Sequence, residues 1–168
     1  MIPHSQDVAH PRDFTEPAIV RPVSAYSTIA LVGRILMSGI FLVSGFAKLV
    51  DPSGTIAHMT AAGIPSPELL VWIAAAAEIL GGAALVLGFL PRLAALGLAL
   101  FLIPTTYYFH AFWNLAGSEQ VMQMANFMKN LSIMGGLLMV VAFGGGRYRV
   151  RGRRNRRSSL AESDPIVP

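Results

Sequence analysis

Four apolar stretches, each close to twenty residues long, set the terms on which this chain folds. They run over approximately 27–50, 69–90, 93–113 and 127–143. At ~1.5 Å of rise per residue, a helix of about 20 residues crosses the ~30 Å hydrocarbon layer of a bilayer. Inside that layer no water is available to satisfy peptide groups, so isolated spanning segments of this length must be helical. Charged residues make up only 13% of the chain, against about 25% in soluble domains, which leaves too little polar surface to face water. The expected fold is therefore all-α, a four-transmembrane-helix bundle in one domain over residues 27–146. Residues 1–26, broken by Pro3, Pro11, Pro17 and Pro22, read as a disordered tail, and residues 147–168 as an Arg-rich one. The first 21 residues are polar and do not read as a signal peptide, so the first helix is expected to act as its own insertion signal.

The basic residues predict an orientation. Arg12 and Arg21 precede the first segment and Arg92 lies between the second and third. Seven of the thirteen Lys and Arg residues lie between Arg147 and Arg157, while the first and third connections have none. The positive-inside rule then gives N-in/C-in, with both tails cytoplasmic. On this reading the Arg run anchors topology against anionic headgroups, and the expected partners are membrane lipids and further copies of the chain rather than nucleic acid. Asp51-Pro52-Ser53-Gly54 reads as a turn, Pro91-Arg92 as a tight turn, and residues 114–126 as a polar loop. Glu78-Ile79-Leu80-Gly81-Gly82 parallels Ser132-Ile133-Met134-Gly135-Gly136, as a duplicated hairpin or as chance in Gly-rich sequence. In either case Gly81, Gly82, Gly135 and Gly136 are expected where helices approach closely.

A charge at the centre of a spanning helix costs about 2.5–3.5 kcal/mol on insertion scales, so Arg34, Lys48, Glu78, His110 and Lys129 need an account. Lys48, His110 and Lys129 are expected near the outer ends of their helices, with Glu78 roughly 13 Å below that face and Arg34 in the opposite, cytoplasmic half. Convergence of the three cationic groups would form a basic outer mouth above one carboxylate, with Tyr107, Tyr108, Asn126 and Asn130 adding hydrogen-bonding groups. The structural alternatives stand beside this. Lys48 and Lys129 would snorkel to headgroups, Trp72, Tyr107, Tyr108 and Trp113 would form an interfacial belt, and His110 would be a hydrogen-bonded structural residue. Glu78 would lock two helices through an ion pair or a hydrogen bond. The chain has no cysteine, which removes thiolate-held iron–sulfur clusters and c-type haem attachment. One intramembrane histidine is too few for bis-His haem, and no Glu-x-x-His pair is present for a di-iron centre. Gly144-Gly145-Gly146 ends a helix rather than linking strand to helix, so no flavin or nucleotide fingerprint is evident. No metal site is expected.

Several short motifs, in order and spacing, resemble the DoxX family of small four-helix membrane proteins. They are Gly33-Arg34-Ile35-Leu36, Ser44-Gly45-Phe46-Ala47-Lys48-Leu49, Ala62-Gly63-Ile64-Pro65, Ala77-Glu78-Ile79-Leu80-Gly81-Gly82, Gly88-Phe89-Leu90-Pro91-Arg92, His110 and Lys129-Asn130-Leu131. The chain departs from many relatives after Gly146, where they close with a Gly-Pro-Gly and a Ser-Leu-Asp-like ending. The resemblance singles out Arg34, Lys48, Glu78, Arg92 and His110, and implies an inner-membrane location and a redox association, since a thiosulfate:quinone oxidoreductase subunit is among the relatives. The implied activity is that of a quinone-reactive subunit with a non-covalently bound quinone. Glu78, His110 and Lys48 would be its catalytic groups, with Arg34, Lys129, Asn130 and Tyr107 binding substrate. Two other readings stay open: a non-catalytic membrane anchor for soluble redox or detoxification enzymes, and a small-anion permease using the same basic mouth.

Overall fold

The computed structural model describes residues 23–148 and 150, with side chains from residue 25. The sequence readings that fall on 1–22 and 151–168, the polar tail and most of the Arg run, lie outside the described residues. The described chain forms α1 (Val23–Val50), α2 (Pro52–Ala61), α3 (Pro67–Leu87), α4 (Pro91–Phe109), a short 3-10 turn (Phe112–Asn114) and α5 (Gly117–Phe143), with no strand among the described residues. Four of these helices, α1, α3, α4 and α5, are long and apolar enough to cross a membrane.

The ends of the helices differ from the sequence expectation in ways that local chemistry explains. Helix α1 starts at Val23, four residues ahead of the apolar stretch. Asp51-Pro52, read as a turn, starts a helix instead: Asp51 is the N-cap of α2 and accepts from the Gly54 N–H at 2.9 Å, with Pro52 in the first turn. Both signals serve helix starts as well as turns. Helix α3 ends at Leu87 because Gly88, at φ 67°, takes the left-handed conformation and places the Phe89 N–H on the Ala84 carbonyl at 2.9 Å. Pro91 then opens α4, which ends at Phe109 with His110 as its C-cap. Residues 117–126, read as loop, form the first third of α5, whose 27 residues span about 40 Å.

One apolar cluster joins all four spanning helices: Phe41 of α1, Leu85 of α3, Ala95, Leu98, Ala99 and Leu102 of α4, and Leu137 of α5. A second sits at the other end, where Met59 of α2 packs on Val71 and Ala74 of α3, beside Phe101 and Phe109 of α4. Small residues bring the backbones together. A Cβ on Gly45 would lie 3.2 Å from the Ala75 carbonyl oxygen, and one on Gly81 2.8 Å from Leu98. Gly82 and Gly136 likewise face Leu42 and Met37 of α1, whereas Gly135 has open space around it and lies on the outer surface. Large apolar side chains cover that surface. Ile29, Leu36, Val43 and Val50, seven residues apart along α1, are all exposed, as a bilayer-facing side requires.

Candidate functional site

The intramembrane carboxylate is paired. Lys48 Nζ lies 2.8 Å from Glu78 Oε2, Ser44 Oγ donates to Glu78 Oε1 at 3.0 Å, and Lys48 Nζ also donates to Ser44 Oγ at 2.8 Å. Glu78 is 4% exposed, with Lys48 partly exposed on the last turn of α1. The two meet because α3 extends past the end of α1: Gly45 lies against Ala75, Glu78 and Ile79. The depth gap expected between Lys48 and Glu78 is therefore closed by the stagger of the helices. The carboxylate, ammonium and hydroxyl form a closed triangle that crosses from α1 to α3.

His110 and Lys129 have separate partners. His110 Nδ1 lies 2.8 Å from Gln123 Oε1, linking the end of α4 to α5. Lys129 is exposed on α5 and donates to Asn126 Oδ1 at 3.0 Å. Asn130 is buried and donates to Thr106 Oγ1 at 3.0 Å, again joining α5 to α4. Tyr107 faces outward among aromatic rings, with Tyr108 at 5.5 Å and Trp113 at 6.0 Å between centroids. The three cationisable groups of the expected outer mouth are not hydrogen-bonded to one another; each has its own neighbour.

The polar concavity at this end is built from other residues. A cleft of about 300 Å³ is lined by His58, Ala61, Ala62, Tyr108, Phe109, Ala111, Leu115, Glu119 and Gln123. His58 stacks on Phe109, with centroids 5.0 Å apart and rings 13° from parallel. His58, Glu119 and Gln123 do not stand out in the sequence, because the segments carrying them read as loops. The signal was present: Asp51-Pro52 caps α2, and seven residues on, His58 falls on that helix. Among the described residues no group of three His, Asp or Glu is placed to hold a metal ion.

At the opposite end Arg34 is buried, 2% exposed, and donates through Nη2 to the Tyr148 carbonyl. Ser38 Oγ donates to the Arg34 carbonyl at 2.6 Å. Arg92, exposed at the start of α4, donates to the Ala142 carbonyl at 3.4 Å. The Val150 N–H reaches the Leu87 carbonyl at 3.1 Å, so the segment after α5 folds back over this end.

Four spanning helices joined by one apolar cluster, with an internal ion pair between α1 and α3 and outward-facing apolar side chains, define a small multi-pass membrane bundle. The family model described as DoxX matches residues 29–111. Two relatives come from Escherichia coli (strain K12). Inner membrane protein YphA is 32% identical over 123 residues, 73% of this chain and 88% of the relative. Inner membrane protein YqjF is 40% identical over 121 residues, 71% of this chain and 87% of the relative. The chain belongs to the DoxX family and is a multi-pass protein of the inner membrane. No solved structure matches it.

Proposed function

We propose that this chain is a quinone-associated component of an inner-membrane redox system, with both chain ends in the cytoplasm and the His58 cleft on the outer side. The orientation rests on Arg12, Arg21, Arg92 and the Arg run from Arg147, set against connections 51–66 and 110–116, which lack Lys and Arg. The cleft is the observation that carries the quinone reading. A quinone headgroup is a flat ring with two carbonyl acceptors. The cleft offers the flat His58–Phe109 stack and, from Tyr108, His58 and Gln123, groups able to donate to those carbonyls. Its volume stands at the small end of ligand pockets, enough for a headgroup whose tail runs into lipid.

The chemistry of the reading divides between the chain and its partners. Reducing a quinone takes two electrons and two protons. His58 and Glu119 are titratable groups at the cleft, and His110 stands behind Gln123. The electrons would come from a partner oxidoreductase subunit or a second bound substrate. Glu78 is engaged by Lys48 and Ser44 and is not among the residues that line the cleft.

The test is to purify the full chain in native lipid nanodiscs, extract and quantify quinone, and titrate with a short-tailed quinone. Saturable binding that weakens in both His58→Ala and Gln123→Ala supports the reading. No retained quinone and no saturable binding would overturn it.

A second reading is favoured by the closed Lys48–Glu78–Ser44 triangle itself. Its groups satisfy one another as a helix lock would, which suits a non-catalytic anchor for a soluble enzyme. A cytoplasmic protein that copurifies with the full chain, and is lost when residues 151–168 are removed, would favour the anchor.

A further inference from the structure

The largest fully buried side chain among the described residues is a cation, Arg34. Only Nη2 of its guanidinium has an acceptor, the Tyr148 carbonyl, while Nε and Nη1 are buried with no hydrogen-bond partner. No carboxylate among the described residues neutralises it; the ion pair found there is Lys48–Glu78. An arginine stays charged and carries five donors in a planar fork. Burying that charge against one neutral carbonyl leaves the positive charge and two donor nitrogens uncompensated, a costly state in a low-dielectric setting.

Among the described residues the side chains packed around it carry no negative charge; its acceptors at this end are backbone carbonyls, that of Tyr148 for Arg34 and that of Ala142, in the last turn of α5, for Arg92. A Cβ on Gly145 would lie 2.8 Å from Arg34 Nη1 and 2.9 Å from Pro91 Cγ, so the guanidinium stands at the first residue of α4. That 19-residue helix has no side-chain cap at its N-terminus, Leu90 being the N-cap. Its dipole therefore directs partial positive charge toward the same place. The Arg92 guanidinium adjoins Gly144, with Nε 3.4 Å from where a Cβ would stand. The glycine strap thus adjoins both guanidiniums, Arg92 at Gly144 and Arg34 at Gly145, and the start of α4, with no carboxylate among the described residues paired to either.

We infer that this end of the bundle is a binding site for a phosphate-class anion. Its core is the Nη1–Nη2 edge of Arg34, the edge that matches two phosphate oxygens. Tyr148 holds one half of the fork and Nη1 is free. Seating a phosphate on both nitrogens displaces the Tyr148 carbonyl and lifts the strap of Gly144–Gly146. Arg92 and the N-terminus of α4 stand at the edge from which the anion enters. Two sources share this chemistry, the headgroup phosphate of an anionic lipid and free phosphate. Basic pockets between helices on the cytoplasmic side suit the first.

The test uses the full-length protein, delipidated in a neutral detergent. Thermal unfolding is followed while dihexanoyl phosphatidylglycerol, potassium phosphate or potassium acetate is titrated at constant ionic strength. The expected result is a saturable rise in unfolding temperature with the phosphate probes and none with acetate. Phosphatidylglycerol acting alone names the lipid as source, and potassium phosphate acting as well names the free ion. Arg34→Gln should weaken the binding by about tenfold or more, the loss of a hydrogen-bonded charge. Arg92→Gln should weaken it less, and supplies the reading if Arg34→Gln does not fold. Binding should also speed hydrogen exchange of the Val150 amide, which donates to the Leu87 carbonyl, as the strap lifts. Absence of a saturable effect, an equal effect of acetate, or affinity unchanged in every folded variant would overturn the assignment.

Discussion

Lys48 Nζ and Glu78 Oε2 meet at 2.8 Å from opposite strands of the helical hairpin, although one residue ends α1 and the other lies twelve residues into α3. Their removal should not be symmetric. Lys48 sits in the last turn of its helix, and its stem can carry the ammonium to the headgroups if its partner is lost. Glu78 is fixed beside Gly45 and has no such exit. Lys48→Met should therefore destabilise the bundle by up to about 3–5 kcal/mol, the cost of leaving a buried charge alone. Glu78→Gln, which keeps a hydrogen-bonding group for Ser44, should cost about 1 kcal/mol. Thermal unfolding of the two variants in one detergent checks the order; the reverse order would mean that Glu78, not Lys48, is the group with an escape route.

Gly45 sets the level at which that pair meets, and it can be tested against a glycine on the same helix. A Cβ at Gly45 would lie 2.7 Å from Ile79 Cγ1 and 3.2 Å from the Ala75 carbonyl oxygen, part of which is backbone that cannot turn aside. Gly45→Ala should cost about 1–3 kcal/mol by forcing α1 away from α3. Gly39 has nothing within 4 Å of its would-be Cβ, so Gly39→Ala should be neutral or favourable by about 0.5–1 kcal/mol. Opposite shifts in unfolding temperature for these two changes on α1 are the expected readout.

What could be read in the sequence follows from which forces are local. The four spans are legible because the bilayer imposes a length and a composition on each segment separately. A helix-locking ion pair or hydrogen bond is legible as one alternative for Glu78, but Lys48 as its partner is not, since the stagger of α1 against α3 comes from small-residue packing between segments. The expected convergence of Lys48, His110 and Lys129 depended on helix rotation, and rotation placed Lys129 on the outer face beside Asn126. The polar run Gly117–Asn126 reads as loop because hydropathy marks where a helix enters lipid, not where it begins. Helix formers such as Glu119, Gln120 and Met122 continue α5 beyond the apolar layer, and that extension carries Glu119 and Gln123 to the cleft. Arg34 was legible as an intramembrane cation, but its unsatisfied nitrogens depend on a strap more than a hundred residues away.

Asn130 and Thr106 offer a direct measure of polar contact between α4 and α5, both buried and joined at 3.0 Å. Interhelical hydrogen bonds in membranes contribute less than their geometry suggests, because polar groups find other partners when helices separate. A double-mutant cycle with Asn130→Leu and Thr106→Val should return a coupling of about 0.6 kcal/mol. Unfolding in detergent gives the four corners. A coupling near zero would leave the apolar contacts of Leu98, Leu102 and Leu137 to hold this pair of helices.

Asp51 caps the helix that carries His58. Its carboxylate accepts from the Gly54 N–H and the Ser53 hydroxyl, each at 2.9 Å, and these bonds, the backbone one foremost, hold its pKa below the ordinary carboxylate value. A folded-state pKa below the unfolded one means that the contribution is fully present above about pH 4, the ordinary Asp value. It is lost as pH falls through the depressed value. Protection of the Gly54 and Thr55 amides, corrected for intrinsic exchange, should therefore hold steady from about pH 7 to about pH 4.5 and fall below that. In Asp51→Ala the protection should be lower throughout and the acid step should vanish, because no carboxylate remains to titrate. Helix α2 carries His58 onto Phe109, so loosening its first turn reaches the cleft. If quinone binds there, Asp51→Ala should weaken that binding at neutral pH without touching a residue that lines the cleft. Weaker binding with unchanged amide protection would instead place Asp51 in a role unconnected with the cap.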